Sequence, residues 1–299
     1  MASADPPVED QPPPDLTHRM DVPNRVPLHL VEAGPADGPP VVLLHGFPEF
    51  WFGWRRQIRP LVDAGYRVLV PDQRGYNRSA KPRAIDAYTL DELSADVAGL
   101  IDALGPDAAV VGHDFGGTVA WWTALTYPER VRQLIVLNMA DPVTMKRAYR
   151  TDPRQILKGW YAFLFQLPFL PEVALGAADG WLLSRAIRAT SRGDAFSDAA
   201  LERYRTAWTR PNALRSMLHW YRAIVRHPPA RPADPRIEPP TMILWGVQDA
   251  FLRPKMATAA LQHCIDGRLE YIEGTSHWIH HEAPETVRRH LLEALGHHS

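Results

Sequence analysis

The sequence predicts an α/β chain in which a mostly parallel sheet with crossover helices is interrupted by a long helical insertion. Three observations predict it. Short apolar runs alternate with helical patterns before about residue 140 and again after residue 240. Between them, from roughly Asp141 to Pro240, the chain is helical, aromatic and proline-punctuated, with no convincing buried strand. A glycine-rich turn, Gly112 to Gly117, joins an apolar strand directly to a helix.

The elements follow in order. Met1 to Asp15 is rich in proline and acidic residues and reads as a disordered tail over residues 1–15. Val26 to Val31 suits an early, antiparallel strand, and Val41 to Leu44 a buried one ending at His45-Gly46-Phe47-Pro48. Trp54 to Ala64 reads as a helix, and Tyr66 to Val70 as the strand that ends at Asp72-Gln73-Arg74-Gly75. Leu90 to Leu104 is amphipathic and leads into the strand Asp107 to Val111, followed by a helix from Phe115 to about Tyr127. Val131 to Leu137 closes the first core segment, 16–140.

The insertion, 141–240, is expected to form a cap. The second core segment, 241–299, carries strands at Thr241 to Trp245 and Leu269 to Ile272, with helices near Pro254 to His263 and Pro284 to Leu295. A cleft between cap and sheet is the expected pocket. There is no internal repeat.

Composition narrows the class. With 299 residues, 45% hydrophobic content and a formal net charge of -1, the chain fits an ordinary enzyme and carries no basic field for nucleic acid. Cys264 is the single cysteine, so one chain has neither a disulfide framework nor a thiolate metal cluster. The apolar runs are too short to span a bilayer, and no membrane partner is expected. The composition suits a reducing cytoplasm. Aromatic residues of the cap would serve a homodimer surface as well as a pocket lining.

The run Gly112-His113-Asp114-Phe115-Gly116 carries the chemistry. A nucleophile elbow reads Gly-x-Ser-x-Gly at a sharp strand-to-helix turn, and here Asp114 stands in the serine position. A carboxylate there attacks an electrophilic sp3 carbon and forms an alkyl ester that water must hydrolyse. The plain alternative is that Asp114 only caps the following helix. Asp249 and His277 lie beyond later strands in the chain order nucleophile, acid, histidine. A surface turn and a packing histidine are the alternatives for these two. His280 and His281 are sequence neighbours of the base but fall nearer the last helix. The backbone N–H groups of Phe47 and Phe115 are expected to form an oxyanion hole for ester hydrolysis. His113, His280, His281, His297 and His298 form no convincing metal-ligand set, so no metal is expected.

These segments resemble the epoxide hydrolases of the α/β-hydrolase fold. The resemblance rests on His45-Gly46-Phe47-Pro48-Glu49, Trp54-Arg55, Asp72-Gln73-Arg74-Gly75-Tyr76, Gly112 to Gly117, Asp249 and His277-Trp278, and it spans about Arg25 to Leu295. It implies an α/β-hydrolase core with a helical cap inserted between strands, and a cis-proline turn at Pro48.

Within the cap, Trp160-Tyr161-Ala162-Phe163-Leu164-Phe165-Gln166-Leu167-Pro168 and Trp220-Tyr221-Arg222 resemble the segments that carry the two ring-opening tyrosines, which map to Tyr161 and Tyr221. Tyr149, Tyr204 and Phe165 show how many other aromatics compete for that assignment. Phe165, Trp220 and Trp278 are expected to line the pocket. The resemblance implies hydrolysis of a small neutral epoxide by water to a vicinal diol, without cofactor.

The related haloalkane and haloacid dehalogenases are the alternative. They share the aspartate nucleophile, but the haloalkane type generally places an indole after it and the fluoroacetate type an arginine, whereas Phe115 offers neither. One departure from the epoxide hydrolase pattern is Met139-Ala140-Asp141-Pro142, where a Pro-His-Pro stretch is common. Asp141 is therefore either a backup triad acid or a helix cap. A binding module without turnover and a promiscuous esterase are further readings, both disfavoured by the residue set.

Overall fold

The computed structural model describes residues 11, 13, 15–230 and 234–296. The tail expected over 1–15 lies almost wholly outside the described residues, as do His297 and His298. Eight strands form one sheet in the order β1-β2-β4-β3-β5-β6-β7-β8, with β1 Thr17–Asp21, β2 Leu28–Ala33, β3 Pro40–Leu44, β4 Arg67–Pro71, β5 Ala108–His113, β6 Val131–Leu137, β7 Thr241–Gly246 and β8 Gly267–Ile272. The β1–β2 and β2–β4 pairs are antiparallel; all others are parallel. The protein has the α/β hydrolase architecture.

The central strands are apolar on both faces because helices cover both. Val41 to Leu44, Ala108 to Val111 and Leu134 to Leu137 are fully buried. Helices α1 Arg55–Asp63, α2 Leu90–Asp102 and α3 Phe115–Thr126 supply the first crossovers. Helix α3 is buried from Phe115 to Ala124, which explains why its sequence shows no polar face. Among the described residues between β6 and β7 come seven α-helices: α4 Pro142–Thr151, α5 Pro153–Lys158, α6 Trp160–Leu164, α7 Leu170–Gly176, α8 Trp181–Thr190, α9 Asp198–Trp208 and α10 Ala213–Arg226. Helices α11 Lys255–Leu261, α12 Ile279–Glu282 and α13 Pro284–Ala294 complete the chain.

Strand β1 has no counterpart in the sequence reading. Its residues are Thr-His-Arg-Met-Asp, mostly exposed, so it has no apolar signal. It exists because β2 offers an antiparallel edge, and Arg19 pairs across it with Glu32 at 3.0 Å. Strand β2 begins at Leu28, two residues after the expected start.

The β5–α3 junction is the tightest part of the core. A Cβ on Gly112 would lie 2.4 Å from the Gly116 carbonyl oxygen, and one on Gly116 would lie 2.2 Å from that of Leu44. Ordinarily an alanine gains about 1 kcal/mol over glycine inside a helix. Here the backbone contact reverses the sign. Gly116→Ala should lower stability by about 1–3 kcal/mol and depress the melting temperature by several degrees. Gly105→Ala, at a site with open space and no positive φ, should be neutral or slightly stabilising. Paired thermal denaturation curves check both; equal losses would contradict the close-approach argument.

Candidate active site

Asp114 sits between β5 and α3 at φ 51°, ψ -125°. Its side chain makes no hydrogen bond to the first turn of α3, so it does not cap the helix. The carboxylate is directed elsewhere. Oδ1 accepts a 2.8 Å hydrogen bond from the Phe47 N–H, and Oδ2 lies 3.3 Å from His277 Nε2. The turn carrying Phe47 contains the cis Phe47–Pro48 peptide, at the position the resemblance marked.

His277 Nδ1 faces Asp249 Oδ2 at 2.8 Å. Asp249 is itself fully engaged: Oδ1 accepts from the Phe251 and Leu252 N–H groups, and Oδ2 also accepts from Asn138 Nδ2 at 2.7 Å. Asn138 stands at the end of β6 with φ 47°, and its Oδ1 accepts from the Gly246 N–H. It fastens the ends of β6 and β7 to the Asp249 carboxylate. Asn138 was not singled out in the sequence, because its role appears only when two strands distant in the chain lie side by side.

Asp141 is placed differently. Its Oδ1 caps α4 through the Val143 and Thr144 N–H groups, and its Oδ2 lies 3.1 Å from His263. The imidazole facing Asp249 is His277, not His263. Of the two readings of Asp141, the geometry supplies the helix cap.

Tyr161 on α6 and Tyr221 on α10 converge from the helices between β6 and β7, with ring centroids 6.1 Å apart and side chains within hydrogen-bond reach. Phe165 packs on Tyr221 at 4.9 Å, Phe115 at 4.6 Å and Phe47 at 5.3 Å. Phe251 bridges the groups, 5.6 Å from Tyr161 and 5.0 Å from His277. Trp220 is buried behind Phe115 and donates its indole N–H to the Arg74 carbonyl. Trp278 is buried behind His277 and donates to Thr190 Oγ1. Both indoles thus have their polar edge committed to protein.

The electrostatics follow from this packing. Burial opposes ionisation of Asp114, but the hydrogen bond and charge of His277 outweigh it and hold the carboxyl below its usual range. Asp249 is held low in the same way, burial being outweighed chiefly by the His277 charge. Burial disfavours the imidazolium of His277, yet Asp249 and Asp114 on its two sides push its pKa up to about 10. Burial also raises both tyrosines well above 10, helped by neighbouring tyrosines and Asp114. They remain proton donors at neutral pH.

Beneath this site lies a second buried group. Glu49 Oε1 accepts from Tyr204 Oη and His281 Nε2, both at 2.7 Å, and Oε2 accepts from His280 Nε2 at 3.1 Å. His113 Nδ1 approaches Oε2 at 3.2 Å, while His113 Nε2 donates to the His277 carbonyl at 2.9 Å. The fold brings part of this set together with an acid: the ligand-type atoms of Glu49, His280 and His281 lie within 4.8 Å of one another. Residues about 230 apart in sequence meet because β3 and α12 end on the same side of the sheet. As arranged, the imidazoles serve as donors to the carboxylate.

A profile of the alpha/beta hydrolase fold family matches residues 39–284. The chain belongs to the alpha/beta hydrolase fold family. Among its relatives in that family is the AB hydrolase superfamily protein YfhM of Bacillus subtilis, 46% identical, with 91% of this chain and 95% of the relative covered. Epoxide hydrolase A of Mycobacterium tuberculosis is 34% identical, with 93% and 97% covered. The crystal structure of epoxide hydrolase A from Mycobacterium thermoresistibile superposes with a TM-score of 0.82 at 31% identity, covering 94% of this chain and 98% of that one. This hydrolase is thus similar to epoxide hydrolases along nearly its full described length.

The Glu49 cluster makes stability depend on pH. Burial, first, and the neighbouring His113 lower the His280 pKa from 6.5 to about 4, and His281 shifts in the same direction. A depressed folded pKa contributes stability that is complete above 6.5 and is lost as pH falls toward 4. His277, raised instead, loses nothing in that window. The melting temperature should fall between these pH values, and His280→Gln should flatten that slope. An unchanged slope in the variant would show that other groups take up the protons.

Proposed function

We propose that this hydrolase converts a neutral epoxide to a vicinal diol through a covalent ester on Asp114. The observation that carries the reading is the line Asp249–His277–Asp114 set opposite two converging tyrosines. The names of its relatives and structural neighbours support the same reaction.

The two carboxylate oxygens of Asp114 have different surroundings, and this assigns their roles. Oδ1 is already held by the Phe47 N–H. Oδ2 is the attacking atom: it bonds to a ring carbon while that carbon's bond to the epoxide oxygen breaks. Tyr161 or Tyr221 donates its proton to the departing alkoxide, and the other tyrosine holds it by hydrogen bond. Phe165, Phe251 and the rest of the aromatic wall suit an uncharged substrate.

Esterification then changes the field around His277. Before attack, the imidazole lies between two carboxylates, which favours its protonated form. The ester removes the Asp114 charge, leaving one anion, so the imidazolium passes its proton to the tyrosinate left by ring opening and the neutral His277 can act as a base. It takes a proton from water, whose oxygen attacks the ester carbonyl carbon. Charge develops on Oδ1, where the Phe47 N–H already points and where the Phe115 N–H, the first of α3 and without an intrahelical partner, adds a second donor. Collapse expels the diol and restores the carboxylate. The proton taken from water restores the imidazolium with which His277 began, so the balance is epoxide plus water to diol.

The test is turnover of styrene oxide and a short terminal epoxide beside matched bromoalkanes, with diol and halide quantified. Asp114→Ala should abolish diol formation, and Tyr161→Phe/Tyr221→Phe should reduce it by about 10²–10⁴-fold. Halide release without diol from epoxides would overturn the reading in favour of a dehalogenase. A second experiment isolates the half-reactions. His277→Gln should still alkylate but not hydrolyse, so intact-protein mass should rise by one substrate mass; an unmodified Asp114 after incubation would contradict the ester mechanism.

A further inference from the structure

Fourteen large apolar side chains are exposed among the described residues, and nine of them fall within residues 157–182 of the cap. Phe169 is 80% exposed and Val173 71%, with Trp160, Phe163, Leu170 and Trp181 all more than half exposed. Side chains of this size and number in one short segment are more than the scattered exposure that a folded surface ordinarily carries. The segment is built to face two ways. Helix α6 turns Tyr161 toward Tyr221 and Phe251, while Trp160 and Phe163 on the same helix face outward.

Charge identifies what this face fits. Residues 142–230 hold fourteen Lys and Arg against six Asp and Glu, although the whole chain has 33 against 34. The excess reaches the apolar segment itself. Arg154 and Lys158 flank its start, the Arg185 guanidinium lies over the Trp181 ring at 5.3 Å, and Arg226 reaches the Gln166 carbonyl. Its two acidic residues are Glu172 and Asp179, and Glu172 is neutralised by Arg222 at 2.6 Å.

We infer that the outer face of the cap, α6 to α8, docks peripherally on an anionic phospholipid surface. Tryptophan and phenylalanine enter the headgroup boundary, and the flanking Arg and Lys pair with lipid phosphates. A second copy of this chain is the weaker fit, because cap-to-cap contact brings two faces of the same positive sign together. The sequence-level expectation of no membrane partner concerned spanning segments, and none of the described helices is long and apolar enough to cross a bilayer. Surface docking needs no such helix. The inference stands apart from the catalytic reading, since it is tested by binding and not by turnover.

The test is co-sedimentation of the full chain with vesicles of phosphatidylcholine alone and of phosphatidylcholine mixed with phosphatidylglycerol. Binding should be at least about tenfold stronger to the phosphatidylglycerol vesicles and should weaken as salt rises. Phe169→Ser/Val173→Ser should lose binding to both vesicle types, while Arg154→Glu/Arg185→Glu should lose the preference for phosphatidylglycerol. Both variants should keep the wild-type circular dichroism spectrum and melting curve, which separates loss of docking from loss of fold. Absence of wild-type binding to either vesicle overturns the inference. So does a concentration-dependent dimer in light scattering that becomes monomeric in Phe169→Ser/Val173→Ser, since a second copy would then cover the face.

Discussion

The arrangement depends on how closely β5, α3 and the turn after β3 approach one another. Backbone meets backbone at Gly112, Gly116, Leu44 and His45 with no room for a Cβ. That closeness fixes Asp114 in a positive-φ conformation, which lifts its carboxylate off the helix end and out toward the cap. It also sets the Phe47 amide against Oδ1 without any side chain in between. One steric fact thus places the Asp114 carboxylate, gives its two oxygens different surroundings and sets a backbone donor on one of them.

Glu49 does comparable work one layer below. A carboxylate removed from solvent needs donors on every lone pair, and it finds them on four side chains from three different parts of the chain. His113 comes from β5, His280 and His281 from α12, and Tyr204 from α9. Through His113, the group also reaches the main chain of His277. The acid is therefore a tie between floor, base and roof, and its cost of burial is offset by the contacts that make the tie.

The sequence disclosed what depends on local pattern. Strand β6 spans the residues that the apolar run Val131 to Leu137 indicated, and the Gly-x-Asp-x-Gly turn is visible because its glycines answer a short-range steric demand. What depends on distant pairing was hidden. Thr17–Asp21 becomes a strand only because β2 presents an edge, and nothing in Thr-His-Arg-Met-Asp announces it. Asn138, Glu49 and the two histidines of α12 likewise acquire meaning from neighbours more than a hundred residues away. Asp141 was ambiguous for another reason: a carboxylate after a strand serves equally as acid or cap, and only the position of His263 and the first turn of α4 tells them apart. The outward aromatics of α6 to α8 were visible as aromatics but not as surface, because short helices interrupted at Pro168 and Gly180 leave no periodicity from which to read a face.

The cap is not attached evenly. On α9 and α10, Tyr204 reaches Glu49, Trp208 donates to the Pro48 carbonyl and Trp220 to that of Arg74, so these helices are bolted to the turns after β3 and β4. Tyr221 rides on the bolted part, whereas Tyr161 rides on α6, whose neighbour α5 meets the second core segment through the Gln155 and Lys158 side chains. The two tyrosines thus reach their common contact from different anchorages, while Arg222 and Gln166 lace the α6 side to α10 through the Phe165, Leu167 and Tyr221 carbonyls. Residues of α9 and α10 thereby set the registration of Tyr221 against the turns after β3 and β4, and residues of α5 set that of Tyr161 against the segment that carries Asp249.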